Sequence, residues 1–164
     1  MKFVAILMGS KSDYEVMSEA ARVLEGFGVK YELIITSAHR SPKRTKDYIK
    51  EAEQKGAKVF IAAAGMAAHL AGAVAAYTTK PVLGVPMSGT NLGSMDSLFS
   101  TVQMPSGIPV GTLAIGKAGA MNAAYLAVQI LALNDENLTK ALKEERKRKE
   151  DKLVKDSKSV EVIL

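Results

Sequence analysis

Short hydrophobic runs alternate along the chain with segments whose apolar positions recur at helical spacing. The runs predict five strands, at residues 3–8, 31–36, 59–63, 82–85 and 110–115. The segments between them predict helices at about residues 12–26, 41–56, 70–77, 96–104 and 118–133. Strands that alternate with helices in this way indicate a parallel sheet with right-handed crossovers, and hence a doubly wound α/β domain.

The first strand runs into the loop Gly9-Ser10-Lys11-Ser12-Asp13. Ser12 followed three places later by Glu15 matches a capping box, so we expect the first helix to begin at Ser12. Free backbone N–H groups, the positive helix end, two hydroxyls and Lys11 together suit a phosphate or a carboxylate. Asp13 fits an anion less well, because an acid at such a place usually binds sugar hydroxyls or stabilises the helix end. The loop lacks the glycines of the dinucleotide and Walker motifs, and both a plain capped turn and an anion site stay open.

Every distinctive polar or glycine-rich segment follows a predicted strand. These segments are residues 9–13, 37–40, 65–69 and 88–93. Since ligands bind outside the carboxyl ends of parallel strands, where the strand order switches, we expect the four segments to converge on one pocket.

The C-terminal part differs in kind from the rest. Residues 134–158 indicate a charged helix with few apolar positions, and an apolar tail follows at 160–164. So narrow an apolar stripe buries little against its own domain. The segment is interpreted either as packing on a neighbouring subunit or as a solvated tail.

Length and composition set the broad class. At 164 residues and 48% hydrophobic content, residues 1–164 are expected to form a single domain, with an α/β core at 1–133 and a C-terminal helix and tail at 134–164. The sequence has neither a signal-peptide pattern nor an apolar stretch that would span a membrane, which predicts a soluble cytoplasmic protein. It contains no cysteine, which excludes disulfides, thiolate catalysis and cysteine-type zinc sites.

The formal charge of +5 does not predict nucleic-acid binding. From Asn134 onward nine basic and eight acidic residues nearly cancel, and the remaining charge of about +4 is concentrated around residues 40–50. Without an aromatic stacking surface, this cluster suits one small anion better than a polyanion, and a solvated helix face is the alternative for its members other than Arg40.

The candidate chemistry depends on two histidines. His39 and His69 each follow a predicted strand and are expected to face the same pocket, beside Arg40. Imidazole titrates near neutral pH and can both give and take a proton, so proton transfer is the favoured interpretation over a structural role. No carboxylate has a ligand-like spacing with either histidine, which disfavours a metal site.

Five motifs in register resemble the PurE family, over residues 4–133. They are Gly9-Ser10-Lys11-Ser12-Asp13, Ser37-Ala38-His39-Arg40, Ala67-Ala68-His69-Leu70, Gly84-Val85-Pro86 and Gln103-Met104-Pro105-Ser106-Gly107-Ile108-Pro109. The resemblance implies a flavodoxin-like three-layer α/β/α sandwich with a five-stranded parallel sheet, an extended C-terminal helix and a homo-octameric assembly.

The resemblance also implies a reaction in purine biosynthesis. It would move a carboxyl group from the exocyclic nitrogen of an aminoimidazole ribonucleotide to a ring carbon, without cofactor or metal. His39 would be the general acid and base, with His69 in support. Ser10, Ser12 and Arg40 would hold the phosphate and Asp13 the ribose hydroxyls. The implied substrate site is completed by Ser37, Ala38, Gly65, Ala68 and Leu70.

The chain departs from the family pattern at Met66 and Ala71, where other members carry glycine and proline. A related branch carboxylates the aminoimidazole ribonucleotide directly with carbon dioxide and typically has lysine after the histidine. Arg40 stands there in this chain, which favours the mutase, and the direct carboxylase is the alternative. A non-catalytic flavin or nucleotide-binding module on the same fold is disfavoured, because only 5% of the residues are aromatic and none is tryptophan.

Overall fold

Five parallel strands form the centre of the computed structural model, which describes residues 2–89 and 91–162. They are β1 (Phe3–Met8), β2 (Tyr31–Ile35), β3 (Ala57–Ala64), β4 (Val82–Pro86) and β5 (Gly111–Thr112). Their order across the sheet is β2-β1-β3-β4-β5. The chain leaves β1 toward one edge to form β2 and then crosses to the other side of β1 to form β3, so the strand order switches between β1 and β3.

Helices follow each strand of this sheet. Within the described ranges they are α1 (Tyr14–Gly26), α2 (Pro42–Lys55), α3 (Leu70–Tyr77), α4 (Met95–Val102), α5 (Gly116–Ala132) and α6 (Glu136–Val160). The predicted doubly wound, flavodoxin-like α/β fold with a long C-terminal helix is therefore confirmed.

The core lies on both faces of the sheet. Alternate strand residues point to opposite faces, and on one face β1 contributes Phe3, Ala5 and Leu7 to a buried cluster with residues of α2 and α3. On the other face α1 and α5 lie side by side, and the rings of Phe27 and Tyr125 meet edge to face with their centroids 5.7 Å apart. Every residue of β1 is buried, as expected of a central parallel strand covered on both sides.

The first helical segment starts differently from the prediction. A short 3-10 helix, Lys11–Asp13, precedes α1, and the capping box joins Ser10 to Asp13 instead of Ser12 to Glu15. Asp13 is buried whereas Glu15 is exposed. A buried carboxylate without hydrogen-bond donors is costly, so the interior acid takes the backbone N–H and sets the register of the turn.

Strand β5 is shorter than the predicted 110–115. It pairs with β4 only through Leu83 with Gly111 and Gly84 with Thr112. Two places beyond Gly84 stands Pro86, which has no N–H to donate to a neighbouring strand, and Leu113 is exposed.

The chain divides into two compact units, Met1–Val128 and Gln129–Leu164. In the second unit the Asp135 carboxylate caps α6 by accepting from the backbone N–H groups of Asn137 and Leu138, over 3.0 and 3.2 Å. Helix α6 contains no buried residue, which agrees with its narrow apolar stripe. Residues 163 and 164 of the predicted apolar tail lie outside the described residues. Among the described helices, none has an apolar stretch of the length needed to cross a bilayer.

Candidate active site

The loops that follow β1, β2 and β3 meet at the switch in strand order. Arg40 Nη2 donates to the Gly9 carbonyl oxygen over 2.8 Å and thereby links the second loop to the first. His39 Nε2 lies 2.6 Å from His69 Nδ1, which links the second loop to the third. The loop after β4 begins beside the third, since the Met87 N–H donates to the Ala64 carbonyl over 2.9 Å. The part of this fourth loop at Thr90 lies outside the described residues.

The loop after β1 is held in a compact form by its own side chains. The Ser10 N–H donates to Asp13 Oδ2 over 3.0 Å, and the Ser10 hydroxyl oxygen accepts from the Ser12 N–H at 3.3 Å and from the Ser12 hydroxyl at 3.0 Å. Lys11 and Ser12 are exposed. The loop therefore offers a hydroxyl and a cation to solvent at the start of a helical segment, a combination that suits an anion.

Asp13 is the buried acid of this loop. Burial raises the pKa of its carboxyl above the ordinary value, and the hydrogen bonds from Ser10 and Ser12 and the nearby Arg40 charge only partly offset that effect. Asp13 therefore feels the charge of Arg40, another member of the group of residues proposed from the sequence.

Arg40 lies between the first and second loops. Its side chain is exposed and bonds to Gly9, while its backbone N–H donates to the Ser37 hydroxyl over 3.1 Å. One guanidinium nitrogen is used for the loop contact. A guanidinium has five N–H donors, so others can bind a phosphate in a bidentate manner.

His39 and His69 form a hydrogen-bonded pair. Their rings are perpendicular, with centroids 4.8 Å apart, and both residues are exposed. When both imidazoles are neutral, one of the two bonded nitrogens carries the proton and the other accepts it. The bond uses His39 Nε2 and His69 Nδ1, which leaves His39 Nδ1 and His69 Nε2 for other partners. The pair can therefore accept a proton on one ring and pass charge to the other.

The turn that carries His39 is fixed by hydroxyl groups. Ser41 occupies the N-cap position of α2 and Pro42 follows at the first helical position. The Ser41 hydroxyl, however, makes no cap bond and instead accepts from the Ser37 N–H over 3.0 Å. Ala38 packs against the buried cluster. The hydroxyls of Thr36 and Thr45 extend this hydrogen bonding. The sequence alone did not identify these two residues, although the hydroxyl residues at positions 41 and 45, one helical turn apart, were a signal.

The turn after β3 includes one residue in an unusual conformation. Met66 has φ of 54°, in the left-handed region that favours glycine, and the residue is 71% exposed. Ala68 and Leu70 are buried, and the Leu70 side chain belongs to the core cluster. The side chain of Leu70 is therefore occupied in packing, and what it can offer a ligand is its backbone N–H in the first turn of α3.

No metal site accompanies these groups in the described ranges, where no three His, Asp or Glu side chains are grouped suitably for a metal ion. A cavity of about 520 Å³ lies at the amino ends of β4 and β5, away from the histidines. It is lined by the α3–β4 connection and by the turn before β5. Lys80 is the one ionisable residue among the described residues that line it. The cavity thus offers no acid–base pair, and the histidine edge is the candidate active site.

Comparison with known proteins places the chain in a family. The family described as AIR carboxylase matches residues 3–152. Proteins named N5-carboxyaminoimidazole ribonucleotide mutase are similar over most of their length. That of Vibrio vulnificus is 56% identical over 135 residues, 82% of this chain and 84% of the relative. That of Escherichia coli strain K12 is 52% identical over 153 residues, 93% of this chain and 90% of the relative.

A further relative and a solved structure agree with this. The mutase of Saccharolobus solfataricus is 52% identical over 143 residues, 87% of this chain and 89% of the relative. The crystal structure of Treponema denticola PurE matches with a TM-score of 0.89 at 27% identity, over 99% of this chain and all of that one. The chain therefore belongs to the AIR carboxylase family, the PurE family.

Proposed function

We propose that this chain is an N5-carboxyaminoimidazole ribonucleotide mutase, which converts its substrate to 4-carboxy-5-aminoimidazole ribonucleotide in purine biosynthesis. The proposal rests on the relatives that bear this name at 50–57% identity. The arrangement of the site supports it chemically. His39 and His69 form a pair with 2.6 Å between their ring nitrogens. Beside the pair lie the Arg40 guanidinium and the start of the first helical segment, which both suit a phosphate.

The binding roles are those that the family resemblance implies, and the chemistry of the groups supports them. Ser10, Ser12 and Arg40 bind the phosphate, since their hydroxyl and guanidinium donors match its oxygens. Asp13 accepts from the ribose hydroxyls. Backbone groups complete the substrate site at Ser37, Ala38, Gly65, Ala68 and Leu70.

His39 moves the proton. As an imidazolium it protonates the carbamate nitrogen, the bond from that nitrogen to the carboxyl carbon breaks, and the electron pair stays on nitrogen as carbon dioxide leaves. The enamine-like ring carbon then attacks the carbon dioxide and forms a carbon–carbon bond. Neutral His39 takes the proton from that ring carbon, so the proton spent in the first step is recovered. His69 supports His39 through the ring–ring hydrogen bond, and the 65–70 turn retains the carbon dioxide between the two steps.

This sequence of steps requires no metal or cofactor. Activity that persists after dialysis against a chelator agrees with it, and activity restored only by a divalent cation contradicts it.

The substrate test separates the two activities within the family. Purified protein is offered either the N-carboxylated ribonucleotide or aminoimidazole ribonucleotide with bicarbonate, and 4-carboxy-5-aminoimidazole ribonucleotide is measured. We expect rapid conversion of the first. Faster conversion of the second would establish the direct carboxylase instead.

The assembly and location belong to the same proposal. We infer a homo-octamer acting in the cytoplasm, with the C-terminal helix packed on a neighbouring subunit. Light scattering would give a mass eight times the 17.5 kDa of one chain, and a monomeric mass would contradict it.

A further inference from the structure

Three buried or partly buried hydroxyls connect β2, the His39 turn and α2. Thr36 follows β2 and Thr45 lies in the first turn of α2, and both are almost fully buried. Their hydroxyl oxygens are 2.8 Å apart, and Thr36 Oγ1 is 3.3 Å from the hydroxyl oxygen of Ser41. These residues flank the 37–40 turn on both sides.

The direction of the bonds follows from proton counting, since each hydroxyl has one proton to donate. Thr45 donates its proton to the Ser41 carbonyl oxygen, one helical turn earlier, over 3.2 Å. Thr36 is therefore the donor in its contact with Thr45. The Ser41 hydroxyl has one proton for two neighbouring acceptors, Thr36 Oγ1 at 3.3 Å and the Ser37 carbonyl at 3.2 Å. The two bonds from Thr36 to Thr45 and from Thr45 to the Ser41 carbonyl therefore run in one direction, an arrangement in which each bond polarises the next.

The network clamps both ends of the turn. Ser41 accepts from the Ser37 N–H and its own N–H donates to the Ser37 carbonyl over 2.9 Å. The backbone of Thr36 is tied to β1, because its N–H donates to the Met8 carbonyl over 2.9 Å. The turn that carries His39 is therefore tied to the sheet through the almost fully buried hydroxyls of Thr36 and Thr45.

We propose that Thr45, acting with Thr36 through Ser41, is a positioning residue for His39 in the proton-transfer steps of the proposed function. His39 and Arg40 are neighbours on the turn, and the side chain of each also has one anchor on another loop. Arg40 has a second anchor, because its guanidinium bonds to Gly9 on another loop. The His39 ring is held by its own turn and by its bond to His69. Loosening the hydroxyl network shifts the backbone that carries both side chains, and proton transfer by the imidazole is more sensitive to such a shift than phosphate binding by the long, flexible arginine side chain.

Thr45→Val tests this, because it removes the hydroxyl and keeps the shape. We expect kcat to fall about tenfold, since small misplacements of a catalytic group are costly. The KM is expected to stay within about twofold because Arg40 retains its separate anchor. Thr45→Ser keeps the hydroxyl and is expected to restore kcat. In protein labelled with ¹⁵N-histidine, Thr45→Val is expected to shift the His39 ring nitrogen signals, which Thr45→Ser leaves in place.

Thr101→Val is the matched control. Thr101 is also almost fully buried and also donates to a carbonyl one helical turn earlier, that of Ser97, over 2.7 Å. Both valine variants lose a buried hydroxyl bond and are expected to lower Tm by similar amounts, but Thr101→Val is expected to keep kcat and the histidine signals.

Two results would overturn the proposal: a wild-type kcat with unchanged His39 signals in Thr45→Val, or an equal loss of kcat in Thr101→Val. If Thr45→Val does not fold, Thr36→Val breaks the same network from the β2 side and is judged by the same criteria. If the wild-type protein does not convert the N-carboxylated ribonucleotide, the proposed function fails, while the nitrogen signals still test the positioning.

Discussion

At the residue scale, the proposed chemistry depends most on His39. Its ring is exposed and bonded to His69, so an amide in its place keeps polarity and approximate size but cannot shuttle a proton near neutral pH. We expect His39→Asn to lower kcat at least about a hundredfold. Binding of aminoimidazole ribonucleotide, measured by calorimetry, is expected to persist. Near-normal turnover would contradict the role given to His39.

His69→Asn is the comparison within the same pair. It removes the supporting partner and leaves the proposed proton carrier, and its kcat is therefore expected to lie between those of the wild type and His39→Asn. If His69→Asn is the more severe change, the two histidines have the reverse roles.

The role proposed for Arg40 is substrate binding rather than proton transfer. Its guanidinium is already placed by the Gly9 carbonyl, and charge-assisted bonds to a phosphate are typically worth about 1.5–3 kcal/mol. We expect Arg40→Ala to raise the Kd for phosphorylated ligand about tenfold or more. Lys43→Ala removes a cation of the same surface region, with a side chain 90% exposed, and serves as the control. Equal effects of the two changes would indicate a general charge effect instead of a phosphate contact.

The raised pKa of Asp13 determines the direction in which its contribution to stability changes with pH in the acid range. Burial raises its pKa above the ordinary 3.8, so the native state holds this proton more tightly than the unfolded chain. The Asp13 contribution to the free energy of unfolding is therefore fully present below pH 3.8. It declines as pH rises through the raised native pKa. We expect the stability of Asp13→Asn, relative to the wild type, to increase across that interval and then level off. Urea unfolding from about pH 3 to 7 measures this, and a relative stability that falls with rising pH would contradict it.

At the scale of elements, the sequence predicted the features that depend on the spacing of apolar residues. Strand positions, the helices between them and the meeting of three loops followed from apolar spacing and from the rule for parallel sheets. The prediction for the turn after β1 was wrong because two residue pairs, Ser10 with Asp13 and Ser12 with Glu15, satisfy the capping pattern. The burial of Asp13 favours the first pair. The histidine contact and the Thr36 network depend on distances across elements, which local patterns do not contain.

The turn after β3 carries a conformational cost in this chain. Met66 has φ of 54°, a conformation that costs a non-glycine residue about 1 kcal/mol. Glycine would relieve that cost but would gain a similar amount of freedom in the unfolded chain. We therefore expect Met66→Gly to leave Tm nearly unchanged. Met66→Val, branched at Cβ, is expected to lower stability by about 1 kcal/mol or more, with Met66→Leu as the unbranched control. A Met66→Val protein as stable as the wild type would show that the turn relaxes to negative φ.

At the scale of the whole molecule, helix α4 has its polar side turned inward. The Ser97 hydroxyl donates to the Met87 carbonyl over 2.8 Å, and Thr101 is buried beside it. On the outer side Met95, Phe99 and Val102 are 46%, 54% and 42% exposed. A surface helix normally presents the opposite pattern, so the apolar outer face of α4 is a candidate contact in the oligomer proposed above.

Phe99→Glu tests whether this face is a subunit contact. A carboxylate buried in an apolar interface without a partner is strongly unfavourable, so the assembly is expected to dissociate. We expect light scattering to give a mass near the 17.5 kDa of one chain, or a small multiple of it, below the mass of the wild type. Lys50→Glu adds the same carboxylate to an exposed, already charged face of α2 and is expected to leave the assembly intact. If Phe99→Glu retains the wild-type mass, α4 is not the contact, and the proposed octamer would have to be held by other surfaces, with α6 the next to test.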